Sequence, residues 1–188
     1  MGNLPLHPVI VHFPIVLAIL APLIALLVLI GQRTGRLSLR AWWFAAGCWG
    51  LLALTSFVAV QTGETDEEVV EAAVAESAIE THKERAEAFA LSAYAVFVLS
   101  VLVMLGKSDR SRLVAGSVTL GAGLVIAGLA VGVGHSGGSL VYEYGAAAAH
   151  VGAGAGERLP LTVPDVRDER RRENREREHA AGREREER

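Results

Sequence analysis

One cysteine, Cys48, is all the thiol the chain has, so it forms no intramolecular disulfide and no thiolate metal cluster. It lies in the middle of an apolar run and reads as a small buried hydrophobe. No carboxylate falls inside any long apolar stretch, which removes the usual proton relay of a membrane pump. Glycine-rich phosphate loops, a Walker lysine and the Ser, His, Asp order of a hydrolase are missing too. The C-terminal tail balances nine arginines against nine carboxylates, a poor match for nucleic acid.

What is present is apolar sequence gathered into blocks. Hydrophobic residues make up 51% of the 188, and stretches 9–30, 41–60, 88–105 and 113–133 contain no Asp, Glu, Lys or Arg. Each is 18 to 22 residues long, close to the roughly 20 that a helix needs to cross a bilayer core of about 30 Å. The expected fold is therefore an all-α membrane protein: a four-helix transmembrane bundle over 1–151, with a linker at 152–164. The tail, 165–188, is either disordered or a solvated helix supported by pairs such as Asp168 with Arg172. No basic residue precedes the first apolar run, and Pro14 and Pro22 interrupt it, so it reads as a retained helix and not a secretory signal. Four spans leave no room for a soluble catalytic domain; any chemistry belongs to the bundle or its rim.

Charge orients the bundle. The two short loops carry Arg33, Arg36, Arg40 and Lys107, Arg110, Arg112, against only Lys83 and Arg85 between the second and third spans. Six against two places the short loops inside, and the N-terminus, the 61–87 loop and the C-terminus outside. His7, His12, His82 and His135 then gather near the outer face, with His150 a weaker member and His179 in the solvated tail.

Imidazole titrates near neutrality, binds transition metals and haem iron, and is costly in lipid without a partner. His12 lies inside an apolar run about one turn below the interface, where Pro14 frees the carbonyl of Ile10 and bends the helix. His7 precedes Pro8 and reads as extended, near the headgroups; on a continuous helix it would stand about 140° from His12, so the two do not chelate side by side. His82 falls on an apolar stripe, Ala75, Ala78, Ile79, His82, Ala86, Phe89, Ala93 and Val96. The third span is therefore expected to extend outward as an amphipathic helix from near Asp66 or Glu67, with Thr65 as N-cap. His135, which follows Gly134 and precedes Ser136, Gly137 and Gly138, either approaches a flat ligand or caps a helix end. Gly116, Gly121, Gly123, Gly128 and Gly132 either pack helices closely or leave a slot for a planar macrocycle. The segment Gly137 to Gly145 reads as a lid that turns back over the bundle mouth.

The run Leu6-His7-Pro8-Val9-Ile10-Val11-His12-Phe13-Pro14-Ile15, with Thr62-Gly63, a histidine on the helix leading into span three, and Gly137-Gly138-Ser139-Leu140-Val141-Tyr142, resembles a bacterial membrane family, domain of unknown function 2231. The resemblance covers about residues 4 to 151. It implies four spans, the bacterial inner membrane, and a place beside redox modules, with a looser likeness to two-histidine membrane cytochromes. The expectation is haem b near the outer face, with His12 and His82 as axial ligands, His135 as the alternative, and His7 with the lid hydrogen-bonding the propionates. The chain would be an electron-transfer subunit more than a stand-alone enzyme. It would exchange electrons with a quinol or cytochrome c, surrounded by membrane lipid, either beside other redox subunits or as a homodimer. The alternatives are a copper or zinc module built on three imidazoles, and a structural subunit with no cofactor.

Overall fold

The computed structural model describes residues 6–71 and 74–152, with side chains as far as Ala149; the charged tail, His179 and the side chain of His150 lie outside the described residues. A short helix α1 (His7–Ile10) is followed by α2 (His12–Arg33), a single 3₁₀ turn (Leu39–Ala41), α3 (Trp42–Val70), α4 (Glu76–Met104), α5 (Asp109–Tyr142) and a short α6 (Ala146–Gly152). No strand occurs among the described residues. The four expected apolar stretches all fall on helices, and four helices are long and apolar enough to cross a membrane.

The breaks have local causes. Pro14 has no N–H to give the Ile10 carbonyl, and α1 ends at Ile10, with Val11 as the joint to α2. Gly35 turns the chain after α2 with φ of 70°, a conformation that costs glycine little. Ser108 opens α5 with a reciprocal cap: its hydroxyl accepts from the Ser111 N–H, and the Ser111 hydroxyl accepts from the Ser108 N–H.

The helices pack in register by sevens. The buried stripe of α2 holds Val28, Ala21 and Pro14; that of α3, Trp42, Trp49 and Ser56; that of α4, Ser100 and Ala93; that of α5, Gly116, Gly123 and Ala130. A seven-residue repeat is the signature of left-handed, nearly aligned helices. The stripes meet in layers of complementary size. Trp42 lies over Gly116 beside Leu29, and its indole N–H donates to the Ser100 carbonyl at 2.8 Å. Trp49 lies over Gly123 beside Pro22. Gly116 and Gly123 thus make room for two fully buried indoles, and this part of the expected macrocycle slot is filled by tryptophan. Gly121, Gly128 and Gly132 face outward, with nothing within 4 Å of where a Cβ would stand.

Two expectations are corrected. The amphipathic extension does not start near Asp66: residues 61–70 continue α3, Thr65 bonds back to the Gln61 carbonyl at 3.2 Å, and α4 begins at Glu76 after a non-helical Ala75. The polar stretch carried no proline or glycine strong enough to stop α3 before Val70, so both helices share the extension. The segment Gly137 to Gly145 also does not fold back as a loop; α5 runs into it as far as Tyr142. The turn comes at Gly145, φ 73°, and α6 supplies the covering piece instead. Ala146 of α6 packs with Val74 and Ile79, backed by Val70, Ala78 and Leu140.

Candidate functional site

At the end of the bundle opposite the arginine loops, the seven-residue register reaches Gly63 on α3 and Gly137 on α5. With no side chain at either position, two imidazoles move in. The His7 ring lies against Gly63, where a Cβ would stand 3.1 Å from Cε1. The His82 ring lies against Gly137 at the same 3.1 Å. The two rings meet edge to face, centroids 6.3 Å apart and planes at 83°.

Each ring is tethered through Nδ1 to a different helix. His7 Nδ1 lies 2.9 Å from the Ala59 carbonyl of α3, with the Thr62 hydroxyl at 3.4 Å. A carbonyl only accepts, so Nδ1 of His7 carries the proton. His82 Nδ1 lies 3.0 Å from the Ser136 hydroxyl of α5, which itself donates to the Val133 carbonyl at 3.0 Å. With its proton committed there, Ser136 offers a lone pair, and Nδ1 of His82 donates as well. Neither Nε2 has a hydrogen-bond partner among the described residues, so two Nε2 lone pairs remain. This is the tautomer in which histidines ligate metals, a second-shell acceptor fixing the ring from behind. Two protonated rings at this spacing would repel by about 3 kcal/mol at an effective dielectric near 20, which favours a neutral pair.

The surroundings are polar on one rim and apolar beneath. Lys83 of α4 pairs with Glu67 of α3 at 3.1 Å, a half-exposed contact worth at most about 1 kcal/mol. Below the rings, Pro14, Ser56 and Ala130 are buried.

The structure brings together a different pair of histidines from the expected His12 and His82. His82 lies inward as its stripe implies, and Ile79, Phe89, Ala93 and Val96 on that stripe are buried. His12 does not join it: it is exposed on the outer surface of the bundle. Pro14 holds the buried stripe of α2, and two residues, about 200° of helical rotation, turn His12 to the other side. His7 takes the inward place and is part of a helix, not extended. His135 is exposed, because the inward residue of that turn is its neighbour Ser136. Ser136 is the site residue the sequence reading missed: it stands about 120° from Ala130 by helical phase, off the stripe that runs through Gly123, Ala130 and Gly137, so periodicity alone does not single it out. No group of three or more His, Cys, Asp or Glu suited to a metal ion occurs among the described residues, so the three-imidazole copper or zinc site is not formed there.

No curated protein and no solved structure matches the chain. A family model does, that of DUF2231, described as a predicted membrane protein, and it matches residues 3–150. All four apolar helices and both tethered histidines fall within that match, and the chain belongs to this membrane-protein family.

Proposed function

We propose that the chain is a membrane electron-transfer module in which haem b is held by His7 and His82. One observation carries the reading: two imidazoles from different helices, each fixed by an Nδ1–H bond to a further helix, lie edge to face 6.3 Å apart, with no hydrogen bond to either Nε2 among the described residues. Two protein donors make an incomplete set for zinc, which takes three or four. They complete the set for haem iron, whose other four ligands come with the macrocycle. The rings stand edge to face and must turn for a flat group to enter between them. Haem held there by His7 and His82 would supply one-electron exchange with a quinol or a cytochrome c. The proposed setting is the bacterial inner membrane with this end at the outer face, a reading supported by six basic loop residues against two.

The test is the visible spectrum of the purified, dithionite-reduced chain. A Soret band is expected that is lost in His7→Ala and in His82→Ala and kept in His12→Ala. A colourless protein with one copper per chain would replace haem with a single ion between the same rings. Full occupancy in both single variants would refute the site.

A further inference from the structure

At the arginine end, a shallow groove of about 380 Å³ lies between the last residue of α2 and the start of α5, lined by Arg33, Leu113, Val114, Ser117 and Val118. Its walls are apolar except for Ser117 and one cation. Arg33 makes no ion pair among the described residues. It stands where the apolar sequence of α2 ends, the depth at which a phospholipid carries its phosphate. Above the groove, α5 presents an exposed line, Val114, Val118, Gly121 and Val125, within about 60° of one another by helical phase. Gly121 interrupts that line with a dent, since nothing lies within 4 Å of where its Cβ would stand. From Val114 to Val125 the helix rises about 16 Å, which matches one leaflet's half of a hydrocarbon core about 30 Å thick.

We infer that this groove binds one anionic phospholipid, its phosphate on Arg33 and an acyl chain along Val114, Val118, Gly121 and Val125. Charge complementarity selects the headgroup. Arg36, Arg40, Lys107, Arg110 and Arg112 crowd the same end, where Asp109 is the only acidic neighbour on those loops, so the local field favours a net negative lipid over a zwitterionic one. The planar guanidinium offers a phosphate two parallel donors. The site is independent of the histidine pair at the far end of the bundle.

Native mass spectrometry of the full chain in detergent, with dioleoyl phosphatidylglycerol or dioleoyl phosphatidylcholine added at equal ratios, tests it. The wild type is expected to keep one phosphatidylglycerol with at least about fivefold preference. Arg33→Gln should abolish the preference, while Arg36→Gln, the same loss of charge on the adjoining loop, should leave it. Gly121→Leu should weaken both lipids by filling the dent, and glycerol phosphate, which has no acyl chain, should not compete. Equal retention of the two lipids by wild type, or an unchanged preference in Arg33→Gln, overturns the inference; so does full competition by glycerol phosphate.

Discussion

Replacing Gly123 by alanine tests the layered packing directly. A methyl group there would land on the ring of Trp49, which is fully buried, with Pro22 Cβ 3.4 Å from the methyl on another side. Overpacking of this kind costs about 1–3 kcal/mol. Alanine is also the better helix former by about 0.8–1.0 kcal/mol, which offsets part of the clash. Gly121→Ala, two residues away, receives the same propensity gain and meets nothing within 4 Å. The difference between the two variants is therefore the clash alone, about 1–3 kcal/mol. At about 2–4 °C per kcal/mol for a chain of this size, Gly123→Ala should unfold at least about 2 °C below Gly121→Ala. Thermal unfolding followed by circular dichroism in one detergent, without added cofactor, measures it. Adding Trp49→Leu should recover most of the loss, because the two residues are coupled through direct contact. Equal stability of the two glycine variants would refute the indole-on-glycine packing and return the slot to a planar ligand.

Two further outcomes follow from the site and the loops. Ser136→Ala removes the acceptor of His82 Nδ1–H, so His82 should lose its fixed tautomer; cofactor affinity, titrated into the purified chain, should fall about 10- to 100-fold while the helical content stays unchanged. For orientation, a cysteine at Thr34 with Cys48 replaced by alanine should resist an impermeant thiol reagent in intact cells; labelling there would put the histidine end inside.

The spans were legible because twenty apolar residues in a row have few soluble alternatives, and the inward phase of His82 was legible from a clean repeat of threes and fours. His7 was not. Its inward place depends on a break at Val11 and on the absent side chain at Gly63, both properties of the assembled bundle. His12 drew attention because it stood alone among apolar residues, yet depth in a sequence does not say which side of a helix a residue faces; the buried Pro14 does. The outward extension was misassigned because acidic residues at 64–71 suit the start of one helix, by the helix dipole, as readily as the end of another. Contacts with Lys83 and the covering α6 decided it.

The tethers of the two histidines span almost the whole membrane domain in sequence. His7, at its beginning, is held by the second long span through Ala59, and His82 is held by Ser136 near the end of the last one. During synthesis, the first imidazole emerges well over a hundred residues before the hydroxyl that fixes the second. The doubly tethered pair therefore forms only once the fourth helix is in place, and a cofactor bound through it would be loaded after that step. In effect the site certifies that the bundle is complete.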